Sequence, residues 1–514
     1  MPDTADAYER RQLVGLALGP TLFVLTRLVV APAGLSAQAN AVLASTLWIA
    51  TWWLTEAVPI PATSLLPLVL FPTQGVTSVA EAAAPYADPV VFLFLGGFLV
   101  ALAIERWGLH RRIALTLLLR VGDDTRRLVL GFMVVTAALS MWVSNTATAM
   151  MMVPIGMAVV AQLRTLDARE AGEADEVDET SETGETGDPT DAQATLEAGT
   201  SESSNLGAAL LLGIAYGASI GGVATIIGTP PNAILVGVAR TALDVRIGFV
   251  QWMLFGLPVA VVFLVVTWGV LVTLLAPETR TLPGSQAVVR EQLASLGPMG
   301  RGERRVVAVF ALVVGGWLLR PFLLEPVAPG VTDTVVALVG GLLVFLVPVD
   351  LRRGEFLLAW EDAARVPWGV LLLFGAGFSL AHAVQVSGLD QWLAGGLTVL
   401  RGVDLVWILL AVATLVVFLT EVTSNSATAS LFLPVMVGLA ASLAVSPLAL
   451  MVTVSVAASF AFMLPVATPP NAIVFGSGAV SIPQMARVGF WVNLLGILFL
   501  TAMTWLWLPV VWGT

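Results

Sequence analysis

Apolar runs of about 17–25 residues recur along the whole chain and are separated by short polar segments. Helices of this length cross the hydrocarbon core of a bilayer and satisfy their own backbone hydrogen bonds within it. The pattern therefore predicts an all-α polytopic membrane protein, not a barrel. Residues 14–30 follow a polar, acidic start and lack a small-residue cleavage site, so they are predicted to form a retained helix, not a signal peptide.

Two polar motifs interrupt this apolar sequence, and each occurs twice. The first is Ser-Asn-Thr at 144–146 and Ser-Asn-Ser at 424–426, so its copies are 280 residues apart. The second is Thr-Pro-Pro-Asn at 229–232 and 468–471, with copies 239 residues apart. An acidic insert at 167–205 accounts for the difference in spacing. Paired polar interruptions of apolar helices are typical of transporters built from two structural repeats.

The repeat divides the chain into four parts. Residues 1–38 form the N-terminal tail and helix 1, residues 39–276 repeat 1, residues 277–305 a cytoplasmic linker, and residues 306–514 repeat 2. In repeat 1 the pattern predicts scaffold helices 2–4 with helix 3 at 59–72, a hairpin at 128–163, a disordered acidic loop at 167–205, a helix at 206–241 broken at 228–231, and helix 6. In repeat 2 it predicts helices 7–9, a hairpin at 405–444, a helix at 448–480 broken at 467–470, and helix 11.

The arginines set the predicted orientation. If the N-terminus is cytoplasmic and each Ser-Asn motif lies at the tip of a re-entrant hairpin, most of the 24 basic residues, all of them arginine, lie on the cytoplasmic side. Each repeat then has an odd number of spans, so the repeats are predicted to be inverted. The predicted topology is about 11 transmembrane helices and two re-entrant hairpins, with the C-terminus extracellular.

Composition narrows the chemistry. The chain is 11% charged and 57% hydrophobic, and it has no cysteine, which excludes disulfides and zinc–thiolate sites. Of the 35 acidic residues, 13 lie in the insert at 167–205, which accounts for the net charge of −11. An acidic surface without lysine disfavours nucleic acid as a partner.

The motifs suit the binding of ions. The prolines at 230–231 and 469–470 remove backbone donors and forbid a continuous helix, which leaves carbonyl oxygens free upstream. Free carbonyls with Ser, Thr and Asn oxygens suit a small hard cation, by extension from calcium and magnesium to sodium. Helix halves that start at the motifs direct backbone N–H groups toward an anion. Because the motifs hold no arginine or lysine, a bound anion needs bound cations, which is a physical basis for coupling.

Two alternatives stay open. Ser, Thr and Asn also join membrane helices, and proline is tolerated as a kink, so one motif alone can be structural; two pairs in matched halves favour a functional site. Glu421, three residues before Ser424, is expected within the membrane. It is either a proton or cation site, or a carboxylate that lies at the aqueous rim of the hairpin or accepts backbone hydrogen bonds.

With these motifs the chain resembles the divalent anion:sodium symporter family, the dicarboxylate, citrate and sulfate carriers. The resemblance runs from helix 2 to the C-terminus. It implies a homodimer held by scaffold helices, a transport domain that moves as an elevator, and symport of a dicarboxylate-type anion with several sodium ions. Two departures are Ser426, which stands where the first copy has Thr146, and the long acidic insert at 167–205.

The resemblance also implies roles for individual residues. The first sodium site is implied to use Ser140, Ser144, Asn145 and the backbone of Gly228. The second is implied to use Thr420, Thr423, Ser424, Asn425 and the backbone of Ala467. The substrate carboxylates are implied to meet Asn145, Thr146, Thr229, Ser424, Asn425, Ser426, Thr468 and Pro469.

The predicted function is sodium-driven uptake of a di- or tricarboxylate, of the succinate, malate, fumarate and citrate class, across the cell membrane. Symport of sulfate or another inorganic divalent anion, and exchange of dicarboxylates, are the alternatives within transporters. An intramembrane enzyme is disfavoured because neither histidine adjoins a serine motif. A passive channel would conduct without saturation or coupling. The expected partners are a small anionic substrate, sodium ions, membrane lipid and a second copy of the chain.

Overall fold

The computed structural model describes residues 10–29, 34–170, 204–396 and 402–513. In these ranges the chain is helical except for its connections and one two-stranded antiparallel hairpin, β1 (Pro348–Asp350) and β2 (Glu355–Phe356). Residues 171–203, most of the insert for which disorder is predicted, lie outside the described residues. The prediction of a helical membrane protein is confirmed by the apolar helices that follow.

The first half of the chain forms twelve helices within its described residues. They are α1 (Arg10–Leu28), α2 (Ala37–Thr55), α3 (Ile60–Thr63), α4 (Leu66–Thr73), α5 (Val79–Ala83), α6 (Pro89–Arg106), α7 (Leu109–Leu118), α8 (Thr125–Ser140), α9 (Asn145–Glu170), α10 (Asn205–Val223), α11 (Pro230–Leu243) and α12 (Phe249–Leu274). A 3₁₀ turn, Ala84–Ala87, joins α5 to α6.

The rest of the chain forms eleven helices within its described residues. Its helices are α13 (Ser285–Ser295), α14 (Arg301–Leu319), α15 (Asp333–Leu346), α16 (Trp368–Ser387), α17 (Leu389–Gly396), α18 (Leu405–Thr420), α19 (Asn425–Leu443), α20 (Pro447–Ala457), α21 (Pro469–Gly476), α22 (Ile482–Leu506) and α23 (Leu508–Trp512). A π-helical turn, Arg320–Leu324, extends α14, and 3₁₀ turns occupy Trp360–Arg365 and Pro465–Ala467.

Side-chain caps explain where several of these helices begin. Asp124 accepts a hydrogen bond from the N–H of Arg127 at the start of α8. Ser204 does the same for α10, and Ser481 forms a capping box with Gln484 at the start of α22. Each cap satisfies backbone donors that the first helical turn leaves free, so these boundaries follow from local sequence.

Seven helical segments in the described ranges are long and apolar enough to cross a membrane. They are Val79–Arg106, Asn205–Val223, Phe249–Leu274, Arg301–Leu324, Trp368–Ser387, Asn425–Leu443 and Ile482–Trp512. Shorter apolar segments lie between them, including Asp333–Leu346 and Leu405–Thr420. The chain is therefore polytopic, and the count of 11 spans remains a prediction.

Three predicted boundaries differ from the structure. The single helix predicted at 59–72 is split into α3 and α4, because Pro67 lacks an N–H and lies in the first turn of α4, where no intrahelical hydrogen bond is lost. The linker at 277–305 contains a helix of its own, α13, and the first turn of α14. Helix α9 continues to Glu170, beyond the predicted end of the hairpin at 163.

The two halves interlock around the interrupted helices. Helix α11 of the first half packs against α19 and α20 of the second. In the corresponding way, α21 of the second half packs against α9 and α10 of the first. Each half therefore inserts the second part of its interrupted helix between elements of the other half. This exchange brings the two interrupted helices against elements of the opposite half.

Candidate functional site

The first Ser-Asn motif lies at the turn between α8 and α9. Ser140 ends α8 and Asn145 begins α9. The Ser140 hydroxyl lies 2.5 Å from Asn145 Oδ1 and 2.8 Å from the carbonyl oxygen of Ala218 in α10. Ser140 is fully buried, and Asn145 is half-buried. The turn is thus tied to α10 by one buried hydroxyl.

The second motif has the same hydrogen bonds at the equivalent positions. Thr420 ends α18 and Asn425 begins α19. The Thr420 hydroxyl lies 2.6 Å from Asn425 Oδ1 and 3.0 Å from the carbonyl oxygen of Ala458. Thr420 is fully buried, like Ser140. The repeat seen in the sequence is therefore also a repeat of contacts.

Both clusters contain more acceptors than protons. A hydroxyl carries one proton, yet each hydroxyl here faces an amide oxygen and a carbonyl oxygen. One oxygen in each cluster therefore lacks a proton at any moment. A small cation bound to the Asn145 or Asn425 amide oxygen would leave the hydroxyl proton to the carbonyl, because hard cations take neutral oxygen ligands.

The interrupted helices form two breaks, the first break at residues 224–229 and the second break at residues 458–468. Asn232 spans the first: its Nδ2 donates to the carbonyls of Gly222, Val223 and Thr225 at 3.3, 3.2 and 2.8 Å. Asn471 spans the second in the same way.

The Asn471 Nδ2 donates to the carbonyls of Ala461 and Leu464, both at 3.1 Å. Asn232 and Asn471 are both fully buried. Each asparagine therefore donates to carbonyls that lose their helical N–H partners at the break. The sequence contains both asparagines in its motifs, but their role as ties became visible only in the structure.

Both breaks begin earlier than predicted. The sequence placed the interruptions at 228–231 and 467–470, whereas the helices end at Val223 and Ala457. Prolines fix only the downstream end of each break. The upstream end depends on distant side chains, such as Trp252, whose Nε1 donates to the carbonyl of Val223 at 3.0 Å.

The structure brings together most of the residues implied for the first sodium site. A Cβ added to Gly222 would lie 2.9 Å from Asn145 Oδ1 and 3.0 Å from the carbonyl oxygen of Gly228. Asn145 and Gly228 therefore converge on Gly222, beside the Ser140 hydroxyl. Ser144 is exposed, and its hydroxyl accepts a hydrogen bond from the N–H of Ala147 at 3.2 Å.

The residues implied for the second sodium site are brought together in part. Thr420 and Asn425 are in direct contact. The Thr423 hydroxyl donates to the carbonyl of Leu419 at 2.8 Å and is already hydrogen-bonded there. Ser424 is half-buried and makes no capping hydrogen bond with its side chain. Ala467 is buried in the second break, where its N–H donates to the carbonyl of Leu464 at 3.2 Å.

Polar contacts connect the two halves. The hydroxyls of Thr229 and Ser459 lie 3.5 Å apart, and the Ser455 hydroxyl donates to Asn232 Oδ1 at 3.1 Å. Thr229 follows Gly228 of the first cluster, and Ser459 follows Ala458 of the second. These two contacts therefore join the breaks of the two halves, each break next to one of the clusters.

The residues implied to contact substrate lie at the starts of four helices. Thr146 and Ser426 are half-buried in the first turns of α9 and α19, whereas Thr229 and Thr468 are buried just before α11 and α21. Pro469 is exposed. Helix N-termini carry unpaired N–H groups and a positive partial charge, so this arrangement favours an anion.

Glu421 is the buried carboxylate nearest to these motifs in sequence, and 3% of it is exposed. Its Oε1 accepts hydrogen bonds from the N–H groups of Phe462 and Met463 at 2.7 and 2.9 Å and from Asn493 Nδ2 at 2.6 Å. Its Oε2 accepts from the N–H of Leu464 at 3.0 Å. Of the alternatives left open by the sequence, the structure shows the backbone-bonded carboxylate.

Two solved structures with the same fold are described as a transporter and as a member of a class of efflux pumps. The YdaH transporter of Alcanivorax borkumensis matches with a TM-score of 0.56 at 16% identity over 91% of this chain and 99% of that protein. MtrF of Neisseria gonorrhoeae, from a class of antimetabolite efflux pumps, matches with a TM-score of 0.57 at 12% identity over 98% of this chain and 96% of that protein. These matches show that the chain has a polytopic helical fold that is also found in transporters.

The chain belongs to the family described as the sodium:sulfate symporter transmembrane region, whose model matches residues 11–513. The sodium-dependent dicarboxylate transporter SdcS of Staphylococcus saprophyticus is 44% identical over 99% of this chain and 93% of its own length. The protein of the same name from Staphylococcus aureus strain USA300 is 42% identical over 98% of this chain and 92% of its own length. The family predicted from the motifs is confirmed.

Proposed function

We propose that this protein is a secondary active transporter that couples the sodium gradient to uptake of a dicarboxylate of the succinate, malate and fumarate class. The observation that carries the proposal is the pair of matched clusters, Ser140 with Asn145 and Thr420 with Asn425. Relatives named as sodium-dependent dicarboxylate transporters align with nearly the whole chain, which supports both the ion and the substrate class.

Each cluster is proposed to bind sodium as a transported ion. At the first site the ligands would be Ser140, Ser144, Asn145 and the carbonyl of Gly228. At the second they would be Thr420, Thr423, Ser424, Asn425 and the carbonyl of Ala467. The acceptor excess in each cluster and the convergence of Asn145 and Gly228 on Gly222 support these assignments.

The substrate is proposed to lie between the two sodium sites. Its carboxylates would meet Asn145, Thr146, Thr229, Ser424, Asn425, Ser426, Thr468 and Pro469. The starts of α9, α11, α19 and α21 would supply N–H groups and positive partial charge. This positive partial charge is smaller than the negative charge of a dicarboxylate, so the bound sodium ions would supply the remaining positive charge. The substrate therefore binds weakly without sodium, and the sodium gradient and the substrate gradient are coupled to each other.

The wider architecture is proposed on the family relationship. The repeats would be inverted in the membrane, with a cytoplasmic N-terminus, an extracellular C-terminus and a location in the cell membrane. Scaffold helices would form a homodimer, and the interlocked hairpins and broken helices would move together as an elevator. The interlocking of α11 with α19, and of α21 with α9, supports their movement as one body.

Uptake of labelled succinate into proteoliposomes tests the proposed function. We expect saturable uptake that requires an inward sodium gradient. Equal uptake from potassium or choline medium would contradict sodium coupling. Asn145→Ala and Asn425→Ala should each abolish uptake while the protein remains inserted and folded, and Gly315→Ala, in a helix with no atom within 4 Å of the added Cβ, serves as the control.

Symport of an inorganic divalent anion is the second candidate, because the family description names sulfate. The relatives aligned over nearly the whole chain are named for dicarboxylates, so the dicarboxylate remains the first choice. Competition decides between them: excess unlabelled malate should suppress succinate uptake, and excess sulfate should leave it unchanged. Counterflow in the absence of sodium would instead identify a dicarboxylate exchanger.

A further inference from the structure

We propose that Glu421 is a positioning residue that holds the backbone of the second break, and that its carboxylate neither binds a transported cation nor carries a proton. Glu421 directly follows Thr420 of the second cluster. Its carboxylate reaches across to three consecutive backbone N–H groups, those of Phe462, Met463 and Leu464. By accepting these hydrogen bonds, the carboxylate fixes the backbone conformation of the second break.

The hydrogen bonds use nearly all of the carboxylate's capacity. An ionised carboxylate has about four lone-pair positions. Three donors lie on Oε1, namely two backbone N–H groups and Asn493 Nδ2, and a fourth lies on Oε2. Only one lone-pair position, on Oε2, is left, so a sodium ion could gain a single oxygen ligand from Glu421 unless it displaced a buried donor. Protonation would place an O–H group among N–H groups, which are donors and cannot accept a hydrogen bond from it.

The first half lacks this carboxylate and does not need it. Position 141, equivalent to 421, is methionine, and its backbone carbonyl accepts a hydrogen bond from Thr225 at 2.7 Å. The first break covers residues 224–229, whereas the second is longer and covers 458–468. A longer break exposes more N–H groups that no helical carbonyl accepts. Glu421 satisfies three of them, which explains why the carboxylate occurs in only one half.

Fixing these N–H groups also fixes the carbonyls of the same segment. The carbonyl of Phe462 accepts from the buried hydroxyl of Tyr216 at 2.7 Å, and that of Leu464 accepts from Asn471. The segment is therefore held from two helices, α10 and α21, as well as from Glu421 of the hairpin, which Asn493 of α22 contacts in turn. At its two ends lie Ala458, the partner of Thr420, and Ala467, which the proposed second sodium site includes.

The consequence rests on the proposed function: loss of the Glu421 charge should weaken sodium binding at the second site. In Glu421→Gln one carboxylate oxygen becomes an NH₂ group, which faces N–H donors and cannot accept from them. Hydrogen bonds to charged groups are strong enough that losing one changes an equilibrium by about tenfold or more. The sodium concentration for half-maximal uptake should therefore rise about tenfold.

The experiment measures two quantities on the purified, reconstituted full chain. The first is the sodium half-saturation of succinate uptake, together with the succinate KM at saturating sodium. The second is hydrogen–deuterium exchange of the peptide that covers 458–468. Glu421→Gln should raise the sodium half-saturation, leave the succinate KM within about twofold, and speed exchange at 462–464 about tenfold. The exposed Glu361→Gln provides the matched carboxylate-to-amide control and should change neither quantity.

Two results would overturn the proposal. One is wild-type sodium half-saturation and wild-type exchange in folded Glu421→Gln. The other is loss of the pH profile of uptake in that variant, which would identify Glu421 as a proton carrier. A merely structural defect would lower the amount of active protein and leave the sodium half-saturation unchanged.

If Glu421→Gln does not fold, Asn493→Ala tests the same contact. It removes one of the four donors but keeps the carboxylate, so the sodium half-saturation should rise about threefold. An unchanged half-saturation would contradict the proposal. Failure of the proposed function is distinguishable, because it would show as sodium-independent uptake by the unaltered protein, whereas the exchange measurement needs no transport.

Discussion

Gly222 offers a test of the first sodium site with a single added methyl group. It lies in the last turn of α10, where glycine is not required by the backbone conformation. A Cβ at this position would lie 2.9 Å from Asn145 Oδ1, 3.0 Å from the Gly228 carbonyl oxygen and 3.3 Å from Asn145 Nδ2. Gly222→Ala therefore places a methyl group between two proposed sodium ligands.

The size of the effect follows from competing contributions. Alanine in place of a helical glycine stabilises a helix by about 0.5–1 kcal/mol, and this gain is the same with and without sodium. Overpacking by one methyl group costs about 1–3 kcal/mol. The Gly228 carbonyl belongs to the backbone and cannot move away cheaply, so the displacement falls on the ligand geometry. If this free-energy cost of overpacking destabilises only the sodium-bound state, the sodium half-saturation rises about 5-fold to 150-fold.

The assay is a sodium titration of succinate uptake in proteoliposomes at saturating succinate. Gly315→Ala, a helical glycine with no atom within 4 Å of the added Cβ, should titrate like the unaltered protein. Both variants gain the same helix propensity, so only the contact differs. A Gly222→Ala protein with unchanged sodium half-saturation would refute the assignment of Asn145 and Gly228 as sodium ligands.

Three further predictions follow from buried hydrogen bonds. Ser140→Ala and Thr420→Val should each raise the sodium half-saturation about tenfold, without a comparable change in succinate KM, because each removes one proposed hydroxyl ligand. Asn232→Ala should lower stability by about 3 kcal/mol in thermal unfolding, since the two protons of Nδ2, shared among three carbonyls, and the bond accepted by Oδ1 amount to about three buried hydrogen bonds at about 1 kcal/mol each. Arg240→Ala should cost about 2 kcal/mol in the same assay, because it leaves the buried carboxylate of Asp88 without its ion-pair partner, while the exposure of the Arg240 side chain limits the loss.

The repeats and the positions of the hairpin tips could be predicted from sequence because their signals are local. Ser-Asn motifs inside apolar runs mark the ends of α8 and α18, and the structure places Asn145 and Asn425 as the first residues of the next helices. Consecutive prolines likewise mark the starts of α11 and α21, where a missing N–H costs nothing.

The upstream ends of the breaks could not be predicted because they depend on tertiary contacts. Residues 458–464 are compatible with a helix by composition. They leave the helix because Glu421 and Tyr216, which are distant in sequence, bind their backbone groups. Tertiary hydrogen bonds of this kind override local propensity.

For a related reason, the side chains of the candidate site could be predicted from sequence, whereas its backbone contacts could not. Side-chain ligands follow from motif positions, so Ser140 with Asn145 and Thr420 with Asn425 are in contact as the resemblance implied. Backbone ligands depend on the course of the chain. The carbonyls of Ala218 and Ala458 accept the same hydroxyls, yet no motif marks these alanines. Gly222, which lies against Asn145, is likewise unmarked in the sequence.

An experimental structure of the protein with sodium and succinate tests the central claim most directly. We predict one cation between Asn145 and Gly228, a second between Asn425 and Ala467, and a dicarboxylate between them, contacted by Thr229 and the starts of α9 and α19. Cation density at only one cluster, or succinate bound away from both asparagines, would contradict the account.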